Sequence, residues 1–109
     1  MTTPYIRFLK LIESLEGFND LTPLQHFMIK KMVVMWGRRE KVTVTQVLRF
    51  NQLASPSKLF RELDKLKKKG YLSLKHNAID RRMKEVLPTK KLNKLTSSFE
   101  FALQKSLLV

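Results

Sequence analysis

The stretch SPSKLFRELDKLKKKG (55–70), YLSLKH (71–76), NAIDRR (77–82) and MKEVLPT (83–89) decides the fold of this 109-residue chain. It opens as a helix with a start and a stop. Ser55 is a good N-cap, because its hydroxyl can accept an orphan N–H of the first turn. Pro56 suits the first helical position, where a missing N–H costs nothing. Lys67, Lys68 and Lys69 sit where the helix dipole favours cations, and Gly70 suits the left-handed residue after the C-cap. A short alternating strand, Tyr71–His76, follows. The polar turn Asn77–Arg82 then leads into a second strand, Lys84–Leu87. A helix followed by a two-stranded hairpin with a basic tip is the outline of a winged helix.

The helix has two distinct faces. Leu59, Leu63 and Leu66 recur at helical spacing and form an apolar stripe, which Phe60 is expected to widen. Ser57, Lys58, Arg61 and Lys65 fall on another face. Taken alone, those cations read as a solvated surface. The next basic cluster, Arg81, Arg82 and Lys84, lies at the hairpin tip. Two basic elements adjacent in sequence predict one continuous positive surface, the footprint of a nucleic-acid binder.

Asp80-Arg81-Arg82-Met83-Lys84-Glu85-Val86-Leu87-Pro88-Thr89 resembles the wing signature of the MarR family of bacterial transcriptional regulators. The S-P-S-x-L start at Ser55 leading to L-x-K-K-G-Y-L resembles that family's recognition helix. Leu21-Thr22-Pro23-Leu24-Gln25 resembles the L-T-x-x-Q opening of its second helix. The resemblance covers most of the chain and weakens at both ends. It implies a winged helix-turn-helix, mainly α with a small β-hairpin (α+β), with flanking N- and C-terminal dimerisation helices. It also implies that Arg82 enters the minor groove.

Composition narrows the partner. A formal charge of +13 and a pI near 10.4 point to a polyanion more than to an acidic small molecule. No run of about 18 apolar residues is present, so no membrane span is expected. The cations cluster on the helix and hairpin rather than beside apolar anchors, which disfavours a lipid surface. There is no cysteine, which excludes disulfides and thiolate ligands and fits a reducing cytoplasm. The N-terminus lacks a signal-peptide pattern. No Gly-rich phosphate loop, histidine–carboxylate cluster or metal-ligand spacing is present, so neither an enzyme nor a bound cofactor or metal is expected.

The remaining chain supplies the frame. Tyr5, Phe8, Leu9, Ile12 and Leu15 predict a first amphipathic helix over Pro4–Glu16, ended by Gly17, with Phe18–Asp20 as a connection. Thr22 and Gln25 form a capping box, with Pro23 at the first position of a second helix expected to be largely buried. His26 reads as a surface or interface residue, and Trp36 as a cap on the core. Gly37–Lys41 is a polar loop whose cations read as solvated. Val42–Val44 predicts a short strand pairing with the hairpin. Thr45 is expected to cap a helix over Thr45–Asn51, and 51–54 to turn into the recognition helix. Thr89 is expected to cap a last helix, Lys90–Leu107. There Leu92, Leu95, Phe99, Ala102, Leu103 and Leu107 approach a heptad seam, which packs either on the first helix or on a second subunit.

The resulting expectation is one winged-helix domain over 1–109. Residues 1–20 and 90–109 would dimerise, and 21–89 would form the DNA-binding core with its wing at 71–88. The chain would be a homodimeric, sequence-specific double-stranded DNA-binding regulator, most simply a repressor, in the bacterial cytoplasm at the nucleoid. Ser57, Lys58 and Arg61 would read bases. Ser55 would cap or touch a phosphate, and Lys65, Arg81 and Lys84 would add positive charge against the backbone. Asp80 would orient an arginine or a backbone group, since a carboxylate facing DNA is repelled. A sequence-nonspecific architectural DNA binder and a winged-helix protein-interaction module remain the other readings. A small-molecule effector is compatible with all of this, but nothing in the sequence supports one.

Overall fold

The computed structural model describes residues 2–80 and 83–108. Its elements run α1 (Pro4–Glu13), α2 (Glu16–Asn19), α3 (Pro23–Gly37), α4 (Val44–Leu48), α5 (Pro56–Lys68), β1 (Leu72–His76), β2 (Lys84–Pro88) and α6 (Lys90–Leu107). The architecture is mainly helical, with one two-stranded antiparallel hairpin. Arg81 and Arg82 lie outside the described residues.

Helix α5 begins and ends as its sequence dictates. Ser55 Oγ accepts the Lys58 N–H at 3.3 Å, and Pro56 follows at the first position. At the other end Gly70 takes φ 88°, the Gly70 N–H donates to Lys67 O and the Tyr71 N–H donates to Leu66 O. This crossed pair is the Schellman motif, which satisfies two carbonyls that the helix end would leave unpaired. Leu59, Leu63 and Leu66 are buried, whereas Phe60 is 56% exposed. Phe60 therefore does not widen the apolar stripe. It is one residue on from Leu59, about 100° round the helix, and points away from the core.

Helix α3 carries the capping box at Thr22 and Gln25. Gln25, Met28, Ile29 and Met32 are buried. Phe27, Val33 and Val34 are exposed, so the helix is buried on one side only, contrary to the expectation from its overall hydrophobicity. The buried ridge meets α5, and Lys30 lies over the outward Phe27 ring at 5.3 Å. Trp36 is half-buried and its Nε1 donates to Val86 O at 3.3 Å. The helix ends in a second Schellman motif, with the Glu40 N–H on Met35 O and the Arg39 N–H on Trp36 O. Here the left-handed position is held by Arg39, at φ 61°, a conformation that favours glycine.

The connection into the helix-turn-helix differs from the expectation. Thr43, not Thr45, caps α4: Thr43 Oγ1 accepts the Gln46 N–H, and Gln46 Oε1 accepts the Thr43 N–H at 2.8 Å. A glutamine three residues on favours Thr43, whereas Thr45 has Leu48 at that place. The helix therefore starts early and stops at Leu48. The expected strand Val42–Val44 shrinks to one bridge, Thr43 with Glu85, beside a Val86 N–H to Val42 O bond of 2.7 Å. Val42, Val47 and Val86 are fully buried at this junction.

The N-terminus also differs. The single helix expected over Pro4–Glu16 breaks after Glu13, where the Ser14 hydroxyl and N–H both turn back to Leu11 O. Phe18 and Asn19 are helical rather than connecting, and Gly17 lies inside α2. Its role is close approach: a Cβ there would lie 2.8 Å from Leu95 Cδ1. Helix α6 is capped by Thr89, whose Oγ1 accepts the Leu92 N–H and lies 2.6 Å from Gly70 O. It buries Leu92, Leu95 and Ala102, and leaves Leu103 and Leu107 exposed. Helix α1 packs along it, and the Arg7 guanidinium donates to Ser106 O at 2.8 and 3.0 Å.

Two substitutions check the facing of α5. Leu59→Ala should lower the unfolding free energy by about 2–5 kcal/mol, and Phe60→Ala by less than about 1 kcal/mol, in denaturant titrations. Arg39→Gly should raise it by about 0.5–1 kcal/mol by relieving the left-handed residue.

Candidate nucleic-acid interface

Local helix geometry presents three cations on one flank of α5. Lys58, Arg61 and Lys65 recur at i, i+3 and i+7 and are all exposed. Ser57 is exposed beside them. Ser55 Oγ is occupied as the cap and lies 3.4 Å from Ser57 Oγ. The Arg61 guanidinium has no hydrogen bond or ion pair among the described residues.

Beneath this flank lies an acid that the sequence reading passed over. Glu62 is buried, and its Oε2 accepts from Gln25 Nε2 at 2.9 Å. Its Oε1 faces outward, 3.4 Å from both Lys58 Nζ and Lys65 Nζ. Burial alone would raise its pKa. The hydrogen bonds from Gln25 and Lys65, the charge of Lys65 and the hydrogen bond from Lys58 outweigh that and hold it below the usual carboxylate range. A signal was available: position 62 lies on the same helical face as Leu59, Leu63 and Leu66.

The hairpin pairs Leu72 with Pro88 through to His76 with Lys84. Asn77 organises the turn, its Oδ1 accepting the N–H groups of Ile79 and Asp80 while its own N–H donates to Met83 O. Asp80 is half-buried there, and its carbonyl accepts the Met83 N–H. Lys84 is exposed at the start of β2. It lines a groove of about 330 Å³ with Thr45, Phe60, Asp64 and Lys67. Lys84 thus borders the side of α5 away from Lys58 and Lys65. Lys68 is tied to Asp64 at 2.9 Å. Of the residues expected at the interface, the structure gathers Ser55, Ser57, Lys58, Arg61 and Lys65 along α5, with Lys84 beside the helix. Asp80 stays in the hairpin turn.

A second polar cluster joins the terminal helices to this core. The Tyr71 hydroxyl donates to Asp20 Oδ2 at 2.9 Å. Lys91 Nζ sits 4.4 Å from the Tyr71 ring centre and donates to Lys69 O at 2.7 Å. Lys69 Nζ donates to Asp20 O and to Gln25 Oε1. A cavity of about 680 Å³ opens beside the cluster, lined by Leu15, Glu16, Gly17, Lys94 and Ser98 among others. His26 Nε2 lies 2.8 Å from Phe18 O, a structural contact. No group of three or more potential metal ligands occurs among the described residues.

The arrangement of α4, α5 and the hairpin is a winged helix-turn-helix. No protein-family model and no curated protein matches the chain. Solved structures do. A MarR-like transcriptional regulator from Thermotoga maritima superposes with a TM-score of 0.70 at 21% identity, over 94% of this chain and 72% of that one. S. aureus MepR, bound to ethidium bromide, gives 0.70 at 19% identity, over 96% and 77%. Another transcriptional regulator from T. maritima gives 0.69 at 15% identity, over 94% and 66%, so the chain spans about two thirds of its length. The chain has a MarR-like winged-helix fold.

The Tyr71 environment is directly measurable. Burial, then the Asp20 hydrogen bond and charge, push its phenol up to about 12. A raised folded-state pKa means that this stabilisation is complete below pH 10 and is lost between 10 and about 12. With Tyr5 replaced by Phe, Tyr71 is the one remaining tyrosine. Its phenolate absorbance should rise near pH 12, not near 10, with unfolding free energy falling over the same interval.

Proposed function

We propose that the chain is a double-stranded DNA-binding transcription regulator that reads sequence with α5 in the major groove. The observation that carries this reading is the exposed flank of Lys58, Arg61 and Lys65 on the second helix of a helix-turn-helix. Phosphate neutralisation by lysine and arginine would supply most of the affinity, with a salt slope of about −0.9 per phosphate. Arg61, which has no hydrogen bond or ion pair among the described residues, is the leading candidate for a bidentate contact to guanine O6 and N7, and Lys58 and Ser57 for neighbouring bases. Lys65, Lys84 and Arg81 would meet phosphates, and Arg82 the minor groove. Ser55 would serve chiefly as the cap that orients the first turn of α5. Asp80 would serve within the hairpin turn. The described structures of similar fold are named as transcriptional regulators, which supports the same role here.

The reading extends to assembly. Residues 1–109 would act as one winged-helix domain, with 21–89 as the DNA-binding core. Tyr5, Ile6, Phe101, Leu103, Leu107 and Leu108 are exposed on or beside α1 and α6. Apolar side chains gathered on terminal helices support a homodimer formed there. A two-fold dimer would select a pseudo-palindrome with half-sites about 10 bp apart or a multiple. Occupying a promoter would most simply repress it, in the cytoplasm. The charge of +13 favours one other reading, an architectural binder held by charge alone.

Selection from a random double-stranded DNA library separates these. A palindromic motif should be enriched, and Arg61→Ala should weaken binding to it by about 1–3 kcal/mol and relax one position. Tight binding without enrichment would support the architectural reading. No binding at moderate salt would remove DNA as the partner and leave the interaction-module reading.

A further inference from the structure

Glu62 is an acid set within a surface argued to meet a polyanion. Its negative charge opposes DNA, and its burial on the apolar stripe of α5 carries a desolvation penalty. Packing alone does not need it, since a neutral side chain of the same shape could accept the bond from Gln25. What the carboxylate adds lies on the outward side. Oε1 stands 3.4 Å from Lys58 Nζ and 3.4 Å from Lys65 Nζ, one turn before and one turn after it. Arg61 lies between these two lysines along the helix and has no ion pair or hydrogen bond among the described residues.

We propose that Glu62 is a positioning residue for DNA recognition, anchoring the Lys58 and Lys65 ammonium groups on one flank of α5 with Arg61 between them. This rests on the DNA-binding reading of α5. A lysine is a point charge on a flexible four-carbon stem, so an unanchored one serves any nearby phosphate. An anchored one is already ordered and fits fewer arrangements of phosphate and base, which raises discrimination and lowers the ordering cost at binding. Glu62 is itself fixed from the core side by Gln25 Nε2. Gln25 Oε1 in turn accepts the Thr22 N–H at 3.0 Å and Lys69 Nζ at 3.1 Å. The anchor is therefore held by α3, independently of the lysines.

The test is Glu62→Gln, which keeps the shape and an acceptor for Gln25 but removes the charge that holds the lysines. Affinities are measured for the selected operator and for a scrambled duplex of equal length. The expected result is a specific-to-scrambled ratio lowered about five- to tenfold, the scale of one weakened base contact, while scrambled-duplex affinity does not fall. The effect should vanish in a Lys58→Gln/Lys65→Gln background, because the carboxylate acts through those lysines. Side-chain ¹⁵N relaxation of the unaltered protein adds a readout independent of that variant's folding. Lys58 and Lys65 ammonium groups should be less mobile than that of Lys67, which is also exposed. Operator enrichment with an unchanged ratio in Glu62→Gln overturns the positioning role and leaves DNA binding standing. Equal mobility of the three lysines also overturns it. Failure of the unaltered protein to bind any duplex overturns both readings.

Discussion

The buried hydrogen bond from Gln25 Nε2 to Glu62 Oε2 ties α3 to α5, and much else is arranged around it. Gln25 is at once the capping-box residue of α3, the partner of Glu62 and an acceptor for Lys69. One amide thereby fixes where α3 begins, how α5 lies against it and where the C-terminal end of α5 is held. Breaking one side of such a pair leaves a buried polar group unsatisfied, at a cost of about 1–3 kcal/mol, more where the group is charged. No described buried side-chain nitrogen or oxygen lacks a partner. The same bond links folding to the surface, because it sets the carboxylate against which Lys58 and Lys65 lie.

A second constraint acts at the base of the hairpin. Gly70 turns the chain out of α5, and the Thr89 hydroxyl returns to Gly70 O and Tyr71 O as the hairpin closes. Thr89 also accepts the Leu92 N–H, so the closing residue of the wing starts α6. The Tyr71–Asp20–Lys91 cluster then fastens α6 to the segment before α3. Helix α5, the hairpin and α6 are consequently joined by short polar contacts around a common apolar core, rather than by core packing alone.

Local chemistry made much of this legible. Ser55–Pro56, Thr22 with Gln25, Gly70 and Thr89 each signal a boundary through a bond that a few neighbouring residues can make. The misreadings arose where two local signals competed or where the deciding partner was distant. Thr45 reads as a cap and Thr43 as part of a strand, but the glutamine at 46 makes Thr43 the cap. Gly17 looks like a terminator, but its missing Cβ makes room for Leu95, nearly eighty residues on. Phe60 and Phe27 look like core because they are large and apolar; which side of a helix faces the interior is settled by tertiary packing. At the candidate interface the cationic flank was readable from its spacing. Glu62 was not, because an acid three or four residues from lysines ordinarily marks an exposed ion pair. Its place on the Leu59–Leu63–Leu66 face was the contrary sign.

The terminal helices show why an apolar seam does not name its partner. In α6, Leu92, Leu95 and Ala102 are consumed by the chain's own packing. Towards the end of the same helix, Phe101, Leu103 and Leu107 stay exposed. No residue of α1 is fully buried, and an important hold on its first turns is the Arg7 guanidinium on Ser106 O. A ten-residue helix with so little burial is marginal on propensity alone. Further cover on its outer side would stabilise it, and the uncovered apolar groups of α6 lie on its neighbouring helix. A second copy of the chain would offer the same groups in return, which is the self-complementarity that a two-fold interface requires. The far half of α6 thus has two sides: Ala102 and Ser106 face α1, while Phe101, Leu103 and Leu107 are the groups that a second subunit would cover.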